Sequence, residues 1–291
     1  MKILVVGGTG FTGSRVLPLL AGRGQIRCLL RPGREIKDIG KLNYELVYGD
    51  LEDIESLTKA MEGCESLINI ASMGFGHVPK IVKCAEEVGI RRAVFVSTTA
   101  IFTQINTHSK KTRKEAEECV MRSGLEWTIL RPTMIYGTPD DRNMIRLLSF
   151  IKRWRVMPIP GSGKRLQQPV HVEDLAWAIV NAFFSTKTIC KAYNISGRQP
   201  LDFNQVVDFA AQALGIKVYK IHVPFTLLRR CFKVYEYLVP NPKLKEEQLL
   251  RLNEDKVFGY EQAYKDFGYS PKSFQDGIQQ EAILAGYRNI S

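Results

Sequence analysis

The sequence predicts an α/β protein built on a doubly wound parallel sheet, and three features carry that expectation. Short, continuous runs of aliphatic and β-branched residues recur through the first half, as in Lys2–Val6, Ser66–Ile70 and Arg92–Val96. Segments with apolar residues at helical spacing lie between them. A glycine-rich turn, Gly7 to Gly13, joins the first run to the first such segment. Strands apolar on both faces, separated by helices, belong to a parallel sheet covered above and below.

Taken in order, Lys2–Val6 is the first strand and Ser14–Ala21 the first helix. Gln25–Leu30, Glu45–Tyr48 and Ser66–Ile70 follow as strands, and Val78–Val88 as a helix. Arg92–Val96 is a fifth strand ending in Ser97-Thr98-Thr99, Lys110–Ser123 a helix, and Trp127–Leu130 a further strand. Beyond residue 137 the alternation weakens, and proline and glycine crowd into 158–163. From Pro200 onward helices dominate, with Asn204–Leu214 and Lys245–Leu252 the clearest. The chain therefore divides into a core, 1–137, and a smaller, mostly helical region, 138–291, that completes the sheet.

Composition excludes several classes. With 291 residues, 45% of them hydrophobic, the chain can bury a sizeable core, and 24% charged residues do not suit a disordered one. No apolar run approaches the roughly 20 residues of a membrane span. The opening Met-Lys-Ile-Leu-Val-Val has too short an apolar stretch for a signal peptide and reads as a buried strand. Cys28, Cys64, Cys84, Cys119, Cys190 and Cys231 form no CxxC pair, as expected of reduced thiols in a cytoplasmic protein. His77, His108, His171 and His222 lie far apart, so no metal site is expected.

A net charge of +11 is unevenly placed. Lys110, Lys111, Arg113 and Lys114 form one cluster, and Arg229, Arg230 and Lys233 another. Arg142, Arg146, Lys152, Arg153, Arg155, Lys164 and Arg165 fall in a stretch without an acid. Such fields favour acidic partners: a phosphorylated small molecule, or an anionic membrane touched peripherally. Basic segments interleaved with aromatics are absent, so nucleic acid is not expected. Oligomeric state is left open.

The strongest chemical signal is Gly7-Gly8-Thr9-Gly10-Phe11-Thr12-Gly13. Glycines at this spacing, straight after a strand and opening a helix, let backbone amides reach a pyrophosphate at the helix's positive end. This is the phosphate loop of a Rossmann fold. An NAD-selective site carries an acid about 20 residues on, to bind the ribose hydroxyls. Here Arg31 stands 18 residues past Gly13, in Leu30-Arg31-Pro32-Gly33-Arg34, and a guanidinium suits a 2′-phosphate. NADP is the expected cofactor, ahead of NAD.

These motifs continue in an order that resembles the extended and atypical short-chain dehydrogenases/reductases. Tyr48-Gly49-Asp50-Leu51, Val94-Phe95-Val96-Ser97-Thr98-Thr99, Leu130-Arg131-Pro132-Thr133-Met134-Ile135-Tyr136-Gly137, Gln168-Pro169-Val170-His171-Val172-Glu173-Asp174 and Tyr193-Asn194-Ile195-Ser196-Gly197 span nearly the whole chain. Nucleotide-sugar epimerases, dehydratases and reductases belong to that group, and the second half is similar to the nucleotide-binding accessory subunit of respiratory complex I. The resemblance implies that Gly7, Thr9, Gly10, Phe11, Thr12 and Gly13 hold the pyrophosphate. Asp50 and Leu51 would contact adenine, and Ala71 would line the ribose region. Ser97 and Pro132 would lie by the nicotinamide, and residues past 137 would cap the substrate.

Catalysis in that family uses Tyr-x-x-x-Lys on the helix after the fifth strand, with a Ser or Thr at the strand's end. Tyrosine transfers the proton, lysine supports it and holds the ribose, and the hydroxyl orients the carbonyl. Lys114 matches the lysine and Thr99 the hydroxyl, but Lys110 stands where the tyrosine belongs. No tyrosine occurs between Tyr48 and Tyr136. Substitute donors are Lys110 itself, Tyr136, or His77 in the loop Gly74-Phe75-Gly76-His77 at the sheet's C-terminal edge. His171 and Asp174 are expected to brace strand against helix. Two functions follow: an oxidoreductase or epimerase-like enzyme with an atypical active site, or a non-catalytic NADP-binding regulatory or assembly factor.

Overall fold

In the computed structural model, which describes residues 1–33, 44–105, 107–141, 143–240 and 246–288, strand and helix alternate as the buried runs require. The first half runs β1 (Lys2–Val6), α1 (Gly13–Leu20), β2 (Gln25–Leu30), β3 (Glu45–Tyr48), α2 (Ile54–Met61), β4 (Ser66–Asn69), α3 (Val78–Glu87), β5 (Arg92–Val96), α4 (His108–Arg122) and β6 (Glu126–Pro132). Then come β7 (Ile135–Tyr136), α5 (Met144–Trp154), β8 (Val156–Pro160), β9 (Leu166–Gln167), β10 (Val170–His171), α6 (Val172–Phe184), β11 (Lys191–Ile195) and β12 (Leu201–Asp202). The chain closes with α7 (Phe203–Leu214), β13 (Tyr219–Val223), α8 (Phe225–Leu238), α9 (Glu246–Leu252), α10 (Glu261–Phe267) and α11 (Phe274–Leu284). Arg34, Arg142 and Lys245, named above in the β2 turn, the basic stretch and the start of a late helix, lie outside the described residues.

Seven strands form one parallel sheet in the order β11-β6-β5-β4-β1-β2-β3, the doubly wound Rossmann arrangement. Successive side chains of a strand face opposite ways, so each central strand serves two cores. Ile3 and Val5 join α1 and α6 in one, with Val16, Leu17, Leu20 and Ile179. Leu4 and Val6 join α2, α3 and α4 in the other, with Leu57, Met61, Val82 and Val120. Each such buried aliphatic side chain contributes about 1.5 to 3 kcal/mol, which explains why strands without a polar face hold the middle of the sheet. A third core, between α5, α7 and α11, belongs to the second half and includes Tyr136, Leu148, Val207 and Ile278.

The doubly wound order sets the site. β1 and β4 are neighbours whose connections leave towards opposite ends of the sheet, opening a crevice at their C-terminal ends. β6 runs to Pro132, two residues past the expected end, because β11 pairs with it from Lys191 to Ile195. Arg92 braces that edge from below, its guanidinium bonding the Glu126 and Ala182 carbonyls and the hydroxyls of Thr128 and Thr188. Among the described residues, no helix is long and apolar enough to cross a membrane.

Candidate cofactor and active site

The glycine loop is shaped by close approach. Gly7 has φ +81°, and a Cβ there would lie 2.9 Å from the Ala71 amide nitrogen. A Cβ on Gly13 would lie 2.1 Å from the Gly7 carbonyl oxygen, so α1 can cross the loop only with glycine there. Gly10 closes the turn by donating to Gly7 O at 3.1 Å. Beyond that contact its Cα side is open, leaving room for a phosphate beside the first turn of α1. Arg15 secures the loop: its guanidinium lies over the Phe11 ring, donates to the Phe11 carbonyl at 2.9 Å and reaches Thr138 Oγ1 at 3.0 Å. Thr9 and Thr12 complete the loop, Thr12 buried.

Around this loop the strand ends assemble the remaining positions. Gly49 N–H donates to Leu30 O at 2.9 Å, bringing Arg31 and Asp50 to adjacent strand ends. Arg31 is exposed. The Asp50 carboxylate accepts from Glu52 N–H at 2.9 Å, and Leu51 packs on the sheet core. Ala71 faces Gly7 across the crevice.

At the other end, Ser97 N–H donates to Leu130 O at 2.7 Å, while its buried Oγ has no hydrogen-bond partner among the described residues. Thr99 Oγ1 donates to Pro132 O at 3.3 Å. The Asn69 side-chain oxygen, at the end of β4, is likewise buried without a donor among the described residues. Buried polar atoms rarely stay unpaired, so the orphaned Ser97 hydroxyl and the open side of Gly10 fit a bound dinucleotide. Gly7, Thr9, Gly10, Phe11, Thr12, Gly13, Ala71, Ser97 and Pro132 would line it.

Helix α4 brings its basic residues to this edge in an order the sequence did not show. Thr107 caps it, accepting from Lys110 N–H at 3.2 Å. Lys110 Nζ is occupied, donating to Thr103 O at 2.5 Å. Lys114 is exposed. Its neighbour Arg113 is the one that turns inward, its guanidinium 3.0 Å from where a Gly74 Cβ would be, in the 3-10 turn Met73–Phe75 after β4. The phase is set one helical turn on, where buried Glu117 grips Arg131 of β6 at 2.6 to 3.1 Å.

The substitute donors separate. Tyr136 is 1% exposed, edge-on to His171, and its hydroxyl faces the Phe274 carbonyl at 3.5 Å beneath α11. That hydroxyl is enclosed, and burial raises its pKa well above the ordinary tyrosine range. His77 turns towards the loop after β3, its Nδ1 3.1 Å from Glu52 Oε1, at ion-pair distance without hydrogen-bond alignment. His171 caps α6 by accepting from Glu173 N–H, and burial pushes its imidazole down to about 4. Asp174 accepts from Lys272 N–H at 3.0 Å.

A half-buried cation outside the expected set lies in the segment after α9. Glu254 accepts from Thr103 Oγ1 and Gln104 N–H, and the Phe258 ring packs on Phe102 at 5.6 Å. Lys256 lies between them, half-buried in a stretch that alternates half-buried and exposed, and its N–H donates to Leu166 O at 2.8 Å. Burial pushes its ammonium down to about 8. The basic stretch 142–165 is dispersed by comparison. Arg165 pairs with Asp255, Lys152 lies over Tyr287, and Arg153 lies over Trp154. Among the described residues no group of His, Cys, Asp or Glu could hold a metal.

The loop, the crevice and the orphaned hydroxyl define a dinucleotide-binding protein of the Rossmann type. The chain belongs to the NAD(P)H-binding family, whose model matches residues 7–159. It is 26% identical over 242 residues to the chloroplast stem-loop binding protein of 41 kDa b of Arabidopsis thaliana, covering 74% of this chain and 63% of that one. Identity is 22% over 324 residues to 4-hydroxy-2-methyl-3-oxo-4-farnesyl-3,4-dihydroquinoline-1-oxide ketoreductase of Stigmatella aurantiaca, covering 96% and 95%. It is 24% over 267 residues to N-acetyl-alpha-D-glucosaminyl-diphospho-ditrans,octacis-undecaprenol 4-epimerase of Escherichia coli O157:H7, covering 78% and 76%. The complex I likeness also holds: identity is 23% to the alpha subcomplex subunit 9 of NADH dehydrogenase from Dictyostelium discoideum, covering 86% and 75%. The fold matches the UDP-glucose 4-epimerase of Thermotoga maritima with a TM-score of 0.74 at 16% identity, covering 98% and 99%.

Proposed function

We propose that this chain is an NADP-dependent oxidoreductase or epimerase-like enzyme with an atypical proton donor, acting on a phosphorylated, nucleotide-linked or lipid-linked sugar. The observation that carries it is the pair of hydroxyls that follow β5: Ser97 Oγ orphaned and buried, Thr99 Oγ1 anchored on Pro132 O of β6. Arg31 supports the choice of NADP, since its exposed guanidinium stands where a 2′-phosphate would add charge. Asp50 and Leu51 would flank the adenine.

The bound nicotinamide would supply or accept hydride. Thr99, turning its hydroxyl from Pro132 O, orients the substrate oxygen, and Arg113 and Lys114 hold anionic groups along α4. Lys256 gives the proton that tyrosine gives elsewhere, being mostly protonated at neutral pH and within about one unit of release. Names among the relatives support a substrate with a lipid part: one reduces a farnesylated quinoline oxide and one epimerises an undecaprenyl-linked sugar. A third is named for stem-loop binding, but the dispersed basic stretch here favours a small anionic ligand over nucleic acid. The free cysteines fit a cytoplasmic protein.

A regulatory or assembly role is the second reading, and Lys110 favours it. The residue in the tyrosine's place is a lysine whose ammonium donates to Thr103 O. Mass spectrometry of nucleotide released from purified protein, with titrations of NADPH and NADH, tests the cofactor assignment. Recovery of NADP(H), or tighter NADPH binding, is expected; absence of binding to either would overturn both readings.

A further inference from the structure

Among the described helices of eight residues or more, α8 alone buries none of its residues. Its inner row, Phe225, Leu228, Phe232 and Tyr235, is half-covered. On the outside, Leu227, Cys231, Val234 and Leu238 recur at spacings of four, three and four, which puts them on one helical face. Leu227 is 51% exposed, Val234 56% and Leu238 67%. A second outer row, Arg230, Lys233 and Tyr237, runs beside the first, with Tyr237 88% exposed.

Charge decides what such a face meets. Glu236, the one acidic residue of the helix, lies on the inner side and accepts from Glu246 N–H. Glu246 in turn is gripped by Arg229 at 2.5 Å and lies 3.8 Å from Lys233. Arg230 has no acidic partner among the described residues, and Lys233 is 57% exposed. The outer surface is therefore an apolar stripe with a cationic border and an amphipathic aromatic. A second copy docked stripe to stripe would crowd two cationic rows with no acid between them. Anionic lipid offers both halves of the complement, acyl chain for the stripe and phosphate for the border.

We propose that α8 lies in the headgroup region of an anionic bilayer, with Leu227, Cys231, Val234 and Leu238 inserted and Arg230 and Lys233 against lipid phosphates. This is peripheral attachment through one helix face. Its neighbour α9 carries Glu247 and Arg251, whose charges are felt by Arg113 of α4.

The test is sedimentation of the full chain, without nucleotide, with phosphatidylcholine vesicles and with vesicles also containing phosphatidylglycerol. The wild type should bind the second and stay free of the first, with binding weakened by salt. Leu227→Asp/Val234→Asp and Arg230→Gln/Lys233→Gln should each lose at least tenfold in partitioning. Arg91→Gln/Arg122→Gln, exposed before β5 and at the end of α4, should bind as the wild type. All of these side chains lie outside the core, and unchanged thermal unfolding verifies the fold. A wild type free of anionic vesicles, or a Leu227→Asp/Val234→Asp protein that binds undiminished, overturns the proposal. So does a dimer in velocity sedimentation that Val234→Asp dissociates, which assigns the stripe to a second copy. No cofactor or turnover enters the measurement, so its outcome is separate from that of the oxidoreductase reading.

Discussion

Glu117 of α4 and Arg131 of β6 form a buried, two-pronged ion pair, with contacts of 2.6 to 3.1 Å and a Glu117 side chain 4% exposed. The pair fixes the rotation of α4 over the sheet edge and so decides which of its basic residues meets the crevice. Removing one partner strands the other charge. Glu117→Gln should cost about 3 to 5 kcal/mol of stability, read by denaturant unfolding. A loss below about 1 kcal/mol would show the pair to be loosely held.

The same rotation separates two adjacent cations. Arg113→Ala should weaken NADPH binding or substrate KM at least about tenfold, about 1.4 kcal/mol, because Arg113 sits against the turn after β4. Lys114→Ala should do less, since that side chain is exposed. Larger damage from Lys114→Ala in parallel titrations would restore Lys114 to the lysine's place in the family motif.

Cofactor choice rests on Arg31. NADPH should bind at least about tenfold more tightly than NADH, and Arg31→Ala should remove most of that difference. Equal dissociation constants in the wild type contradict this.

Stability should depend on pH through Glu281. Its side chain is fully buried next to Asp141, and burial followed by that carboxylate pushes it up to about 9. The folded protein thus holds a proton that the unfolded chain releases above its ordinary range near 4.5. This contribution is complete below pH 4.5 and fades as pH rises towards 9. Thermal melts should fall across that window, and Glu281→Gln should flatten the fall. His171, depressed to about 4, acts the other way, losing its contribution as pH drops from 6.5 towards 4. A Glu281→Gln protein with an unchanged slope would contradict the assignment.

Much of this was legible in the chain, and the exceptions have physical causes. β1, the glycine loop and α1 could be read because close backbone contacts leave Gly7 and Gly13 no alternative. Ile54–Met61 escaped notice because half of its residues are polar and its buried face is only Leu57, Ala60 and Met61. Val172–Phe184 escaped for the opposite reason: its exposed face carries Trp177 and Phe184, so it is apolar nearly all round, which blurs helical periodicity. At the site, composition could not tell Arg113 from Lys114; Glu117, buried one turn later, was the available signal. Tyr136 and His77 are placed by partners distant in sequence, Phe274 and Glu52, which local pattern does not reveal. Lys256 was not singled out because its neighbours Glu254 and Phe258 are held by Thr103 and Phe102, about 150 residues away in the chain.

Proton supply is where the enzymatic reading is most exposed. Lys256→Met should lower turnover at least about a hundredfold, within the usual contribution of a general acid, with NADPH affinity little changed. In the reductive direction kcat/KM should fall as pH rises through about 8, as the ammonium gives up its proton. A profile flat through that range would exclude Lys256 as the acid.

Transfer of deuterium from 4-deuterated NADPH to a 4-keto sugar, offered as the UDP-linked and the undecaprenyl-diphosphate-linked compound, is the most direct test. Deuterated product is expected from at least one of the two. Its formation should drop over about a hundredfold in Thr99→Val, roughly 2.7 kcal/mol of transition-state stabilisation. Tight NADPH binding with no deuterium in either product would contradict the enzymatic reading and leave the cofactor a structural one.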